Sequence, residues 1–199
     1  MTDQTASPDY WNYRYIENNI PWDIGGIAPI IKKKLDSIEG NKAIKILIPG
    51  AGLAHEAAYL HRRGFSNVFV CDWAEAAFDH LREQCPDFPE EHLLIGDFFD
   101  LDIKVDLIIE QTFFCAIPRR RRKDYAQKAA SLLNEGGQLI GLLFSSEFER
   151  EGPPHGGCKE EYVEHFIPYF DIITMEESTG SIKPRMGNEL YLELRTSIF

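Results

Sequence analysis

The sequence predicts an α/β fold: a mostly parallel seven-stranded sheet with helices on both faces and an antiparallel hairpin at its C-terminal end. Three observations predict it. From residue 44 onward, short β-branched runs alternate with helix-length segments, the pattern of parallel sheets. The early runs end in residues that stop a strand: Pro49-Gly50, Asp72 and Gly96-Asp97. The last two runs have no helix between them and can only pair locally, as a hairpin. With 199 residues, 44% of them hydrophobic, and no linker, repeat or low-complexity tract, the chain reads as one domain over residues 1–199.

The first strand falls at residues 44–48, before Pro49-Gly50. A helix follows over residues 53–63, with Gly64 as its C-terminal cap. Residues 67–71 form the second strand, and residues 74–84 a helix of good formers broken by Pro86. Residues 92–95 are a short third strand. The fourth, residues 105–110 (VDLIIE), is apolar enough for burial on both faces. After Pro118, residues 119–133 read as a helix of about four turns. Asn134-Glu135-Gly136-Gly137 turns the chain into a fifth strand, residues 138–144. A loop with Gly152-Pro153-Pro154 leads to a helix near residues 159–169. Strands at 171–177 and 189–196, separated by Gly180, Pro184 and Gly187, complete the hairpin.

Composition excludes several classes. Lys plus Arg total 21 against 32 Asp plus Glu, a formal net charge of -11, and a field of that sign repels nucleic-acid backbones. The apolar runs are too short to span a bilayer. The N-terminus, MTDQTASPDYW, has neither the basic nor the apolar region of a secretory signal, so a cytoplasmic location is expected. Cys71, Cys85, Cys115 and Cys158 form no CxxC pair and read as reduced thiols; no metal site is expected from them or from the scattered histidines. The expected partner is a small molecule, and the expected state a monomer.

In an open parallel sheet, ligands sit beyond the carboxyl ends of the strands, where the strand order reverses. After the first strand stand the small residues Gly50, Ala51 and Gly52, which let a ligand approach the backbone at the start of a helix. After the second stands Asp72, 20 residues beyond Gly52 and placed to accept both hydroxyls of a ribose. Asp97-Phe98 follow the third strand, and Glu110-Gln111 close the fourth. Taken singly these are a tight turn, a helix cap and a turn acid; together, at this spacing, they suit a nucleoside. A dinucleotide fingerprint G-x-G-x-x-G/A would require Gly or Ala where His55 stands. Ala54 is the third small residue instead, and so compact a loop suits a nucleoside without a pyrophosphate, such as S-adenosylmethionine.

Several blocks extend this reading: Pro21-Trp22-Asp23, ILIPGAGLAHE (46–56), VCDWAEAA (70–77), GDFF (96–99), DLIIEQTFFCAIP (106–118), LLNEGGQLIGLLF (132–144), GPP (152–154) and RMGNEL (185–190). In these blocks, and in their order, the sequence resembles the thiopurine S-methyltransferase family, which includes thiol, halide and thiocyanate methyltransferases. The resemblance implies a Rossmann-like class I methyltransferase using S-adenosyl-L-methionine. It further implies that Gly50 and Gly52 shape the methionine end of the cofactor site and that Asp72 holds the ribose. Asp97 and Phe98 would contact the adenine, with Gln111 near the transferring methyl. Trp11, Tyr15 and Trp22 would fold over the cofactor as a lid formed by residues 1–30. An aromatic face also stabilises a sulfonium cation by ~0.5–2 kcal/mol. The chain departs from the family at Ala51 and Ala54, at Glu110-Gln111, where Asp-Tyr is common, and at Tyr15, where Trp is frequent.

The expected reaction is methyl transfer to a small soft nucleophile (thiol, thiopurine, thiocyanate or halide) by in-line displacement, with Gln111 and Arg185 as the candidates for a catalytic role. Two alternatives stay open: an oxidoreductase using a nucleotide cofactor, and a non-catalytic S-adenosylmethionine-binding module. Arg119–Arg122 read as a solvated face, since arginines opening a helix oppose its dipole unless an anion pairs with them. Cys115 reads as packing rather than as a nucleophile.

Overall fold

A computed structural model describes residues 7–38, 40–149 and 152–197. One seven-stranded sheet runs through it in the order β3-β2-β1-β4-β5-β7-β6. The strands are β1 (Ile46–Pro49), β2 (Val68–Asp72), β3 (Leu93–Ile95), β4 (Val105–Gln111), β5 (Leu133–Phe144), β6 (Phe170–Glu177) and β7 (Glu189–Thr196). The first five pair in parallel, and β7 runs antiparallel between β5 and β6. The chain builds outward from β1 to β3, then crosses back to place β4 on the other side of β1. That reversal makes the crevice beyond β1 and β4 the ligand position of the fold.

Six α-helices are present among the described residues: α1 (Pro8–Ile16), α2 (Pro29–Ser37), α3 (His55–Arg62), α4 (Asp79–Gln84), α5 (Arg122–Leu132) and α6 (Lys159–Phe166). The two-residue period of a strand sorts its side chains between two cores. Ile46, Ile48, Val68 and Val70 meet Ile31 and Leu35 of α2, Ala57 and Leu60 of α3 and Leu81 of α4. Leu47, Ile108, Leu139 and Leu143 face the other way, onto Tyr125 and Ala129 of α5 and Tyr162 and Phe166 of α6. Helices on both faces follow from strands apolar at every position.

Several sequence expectations are corrected. The helix expected over residues 74–84 is a 3-10 turn, Glu75–Phe78, followed by the short α4. The N–H of Ala74 donates to the Asp72 carboxylate and that of Ala76 to the Asn12 side chain, which tightens the entry to that segment. The helix expected from residue 119 likewise opens with a 3-10 turn, Arg119–Arg121, before α5. The turn expected at 134–137 lies inside β5: pairing jumps from Val105 with Leu133 to Leu107 with Gln138. Four residues are absorbed there as a bulge, with Gly136 at φ +70°. The N-terminal stretch, for which the sequence predicts no regular element, contains α1 and α2. Each opens on a proline at its first turn, and the Ser7 hydroxyl caps α1 by accepting from the Tyr10 N–H. Gly64 lies at φ +83° just past α3, as its position required. Among the described residues, no helix is long and apolar enough to cross a membrane.

Candidate active site

A cavity of about 730 Å³ opens beyond the carboxyl ends of β1, β2, β3 and β4. Of the residues selected from the sequence, Trp11, Trp22, Gly50, Asp72, Asp97, Phe98 and Arg185 line it. Tyr15, Gly52 and Gln111 are not among its lining residues. The Tyr15 hydroxyl stands 3.5 Å from where a Cβ on Gly52 would sit, so the aromatic ring covers the glycine loop. The Gln111 side-chain oxygen is buried and has no hydrogen-bond partner among the described residues.

The loop after β1 needs its small residues. Gly50 and Gly52 both lie at φ +56°, a left-handed conformation that glycine adopts without penalty, and Ala54 follows at φ +54°. A Cβ on Gly50 would stand 2.5 Å from the Phe113 ring, so the glycine serves the packing of Phe113 as well as access to the backbone. His55, which sets the loop apart from a dinucleotide fingerprint, opens α3 and pairs through Nε2 with Asp23 at 2.8 Å. That pair ties the N-terminal segment to the glycine loop.

Asp72 lines the cavity at the end of β2. Its Oδ1 accepts from the Ala74 N–H at 2.9 Å and its Oδ2 from the Gly52 N–H at 3.4 Å. Each carboxylate oxygen keeps a further lone pair for a ligand hydroxyl. Burial outweighs these hydrogen bonds and pushes the Asp72 carboxyl up to about 6. At the end of β3, Asp97 caps a 3-10 turn through the Phe99 N–H at 2.9 Å. Phe98 is 2% exposed and stacks on Tyr125, leaving only a small part of its ring to the cavity.

The segment after β4 is held from beneath by a residue whose part the sequence did not disclose. Glu110 is completely buried. Its Oε1 accepts from the Phe113 and Phe114 N–H groups at 3.0 and 2.9 Å, and its Oε2 from the Tyr125 hydroxyl at 2.7 Å. Burial pushes this carboxyl up to about 7. The turn it secures includes Thr112 at φ +66°, a costly conformation for a β-branched residue. Periodicity alone offered no sign that Glu110 turns into the core beside Tyr125.

The N-terminal segment closes the opposite side. Trp22 packs edge-on against Trp11 and Tyr15 at ring-centroid distances of 5.4 and 5.8 Å. Arg185 donates to the Trp22 carbonyl at 2.7 Å, and pairs with the buried Glu189 at 3.2 Å. Arg119–Arg122 are not a uniform solvated face. Arg122 is fully buried, bonded to Glu161 at 2.6 Å and to the carbonyls of His155 and Gly156. Arg119 pairs with Glu147 and donates to the Gly156 carbonyl. Tertiary folding brings acids from two distant segments to the run. Cys71 and Cys115 both line the cavity, and burial pushes both thiols up to about 12.

A buried acid at the β2 end, a glycine loop in left-handed conformation and an aromatic cover fit S-adenosylmethionine. Solved structures share the architecture. One is a Burkholderia thailandensis 1,6-didemethyltoxoflavin-N1-methyltransferase with bound S-adenosylhomocysteine, 15% identical, TM-score 0.77, covering 96% of this chain and 87% of that one. Another is the magnesium protoporphyrin IX methyltransferase from Synechocystis with bound SAM, 17% identical, TM-score 0.71, covering 99% and 98%. The fold is therefore the Rossmann-like one that these S-adenosylmethionine-dependent methyltransferases share. The profile of the Thiopurine S-methyltransferase (TPMT) family matches residues 6–191, and the chain belongs to that family. It is 29% identical over 187 residues to a "Probable thiol methyltransferase 2" of Arabidopsis thaliana, covering 90% of this chain and 81% of that one. It is 26% identical over 165 residues to a Thiopurine S-methyltransferase of Vibrio cholerae, covering 74% and 75%.

Proposed function

We propose that the enzyme methylates a small soft nucleophile, with sulfur of a thiol or thiopurine as the acceptor atom. The observation that carries this reading is the chemistry of the cavity wall. Among the described residues its wall carries no His, Lys, Glu or Tyr, and its two carboxylates, Asp72 and Asp97, are engaged by backbone N–H groups at the ends of β2 and β3, so no group is placed as a general base beside an acceptor. The acceptor must then ionise by itself, which a thiol near neutral pH does and an alcohol or amide does not. The names of the relatives from Arabidopsis and Vibrio support the same choice.

Bound S-adenosylmethionine supplies an electrophilic methyl and a neutral thioether leaving group. The protein's part is alignment and exclusion of water. Asp72 accepts the ribose hydroxyls, Gly50 and Gly52 shape the methionine end, and Asp97 and Phe98 flank the adenine. Arg185 holds the cover through the Trp22 carbonyl, while Gln111, outside the cavity lining and with its side-chain oxygen buried, has no direct part in this reading. The elevated thiols of Cys71 and Cys115 stay protonated, which keeps them from competing for the methyl. Residues 7–30 act as the lid, tied down through Asn12 to Ala76 and Asp23 to His55; residues 1–6 of the expected lid lie outside the described residues.

Two measurements test this. With a series of thiols, the rate at low acceptor concentration should rise with pH and level off near each thiol's own pKa, about 8.5 for an ordinary one. An inflection fixed across acceptors, and abolished by one substitution in the protein, would reveal a general base and overturn the reading. Deleting residues 1–22 removes Trp11, Tyr15 and Trp22 but no strand. A folded domain with poor retention of S-adenosylhomocysteine and negligible turnover is expected. Hydrogen exchange of the intact chain should protect this segment more strongly when the cofactor is bound; equal protection in both states would make it static cover.

A further inference from the structure

Four guanidinium groups line the cavity of a chain whose formal net charge is -11: Arg14, Arg120, Arg121 and Arg185. Two are engaged in the N-terminal cover. Arg14 donates to the Asn19 carbonyl at 2.7 Å and to the Tyr10 hydroxyl at 2.8 Å, and Arg185 is held by Trp22 and Glu189. The other two have little to hold them. Arg120 is exposed and has no hydrogen bond or ion pair among the described residues, while its neighbours Arg119 and Arg122 are both bonded to acids. Arg121 lies 3.6 Å over the Phe99 ring centre, and its contact with Asp124, 3.4 Å long and exposed, contributes little.

Their place in the fold works against them. Arg120 and Arg121 sit in the 3-10 turn that enters α5, where the positive end of the helix dipole disfavours a cation. Folding therefore gains nothing evident from the Arg120 charge. The wall they share is apolar: Ile117 and Pro118 just before them, and Phe144, Phe148, Pro153 and Pro154. A bare inorganic anion has no use for such a wall.

We infer that the acceptor is an organic anion, an apolar body carrying a carboxylate or similar group besides its nucleophilic sulfur, and that Arg120 and Arg121 recognise that charge. The inference rests on the methyl-transfer reading above. The long-range field of the chain repels anions in general, so the local pair of guanidinia would make entry selective for a ligand that reaches them.

The test compares 3-mercaptobenzoate with its methyl ester, which carry the same thiol and differ in charge. In the Arg120→Ala, Arg121→Ala double variant, the ratio of kcat/KM for acid over ester should fall about tenfold, with part of it restored by Lys at both positions. A second readout needs no turnover. Benzoate binding to protein saturated with S-adenosylhomocysteine, followed by calorimetry, should weaken about tenfold in the double Ala variant. The inference is overturned if acid and ester lose rate in equal proportion, or if benzoate binds both proteins alike. It is also overturned if S-adenosylhomocysteine itself binds more weakly to the variant, because the guanidinia would then serve the cofactor. If no thiol is turned over but benzoate binding still depends on the arginines, the sulfur acceptor fails and the anion site stands.

Discussion

Replacing Asp72 with Ala should weaken S-adenosylhomocysteine binding at least tenfold while leaving a folded protein. Hydrogen bonds to a carboxylate contribute about 1.5–3 kcal/mol, and a tenfold loss is about 1.4 kcal/mol. The same carboxylate also accepts from the Ala74 and Gly52 N–H groups, so stability should fall as well. Asp72→Asn should fall between the wild type and Asp72→Ala in stability, since its one amide oxygen can keep the Ala74 N–H bond but its NH2 group cannot accept from Gly52, while the charge is gone. Burial holds the Asp72 carboxyl up at about 6, above its ordinary 3.8. Because ribose hydroxyls donate best to the ionised form, affinity in the wild type should weaken as pH falls below about 6. Titration calorimetry across pH 5 to 8, roughly the range where a stable fold is expected, reads both outcomes. Unchanged affinity in a folded Asp72→Ala protein would reduce the residue to a turn cap.

Glu110→Ala should destabilise the protein by about 3–5 kcal/mol, the range for breaking a buried hydrogen-bond network. It leaves the Phe113 and Phe114 N–H groups and the Tyr125 hydroxyl without their acceptor, beneath a turn that already holds Thr112 at φ +66°. Glu110→Gln keeps an oxygen for the two N–H groups and should cost far less. The pair also differs in pH dependence. A carboxyl raised from 4.5 to about 7 in the folded state contributes stability that is fully present below its unfolded value and lost as pH rises through 7. The loss is on the order of 3 kcal/mol at 1.36 kcal/mol per pKa unit. Asp72 acts in the same direction up to about pH 6. Denaturant unfolding at pH 5 and pH 8.5, chosen as roughly two units either side of that transition, should show the wild type losing stability and Glu110→Gln losing much less. Parallel profiles for the two proteins would mean that Glu110 does not titrate in this range.

Much of the architecture and part of the cavity wall were legible before folding was considered. The alternation of β-branched runs with helical segments placed all seven strands, and β7 lies at the residues expected, 189–196. Strand ends are read easily because glycine, proline and aspartate stop strands for local reasons. For that same reason Gly50, Asp72, Asp97 and Phe98 were found, and all four line the cavity. Boundaries failed where distant contacts overrode local preference. Residues 134–137 have the composition of a turn, yet Leu133 pairs with Val105 and carries the segment into β5 as a bulge.

By itself, then, the sequence determined the order of elements from β1 onward, the ends of the strands and the strand-end residues that line the cavity, since all of these depend on residues near one another in the chain. Which charges pair within the fold and which are left facing the cavity was decided only by tertiary structure. Four consecutive arginines are indistinguishable in sequence. Folding delivers Glu147 to Arg119 and Glu161 to Arg122, from 28 and 39 residues away, and leaves Arg120 facing the cavity. The fate of Glu110 was equally hidden, because a carboxylate at a strand end can face a ligand or turn inward. It turns inward here because Tyr125 and two backbone N–H groups converge on it and satisfy its oxygens where water cannot.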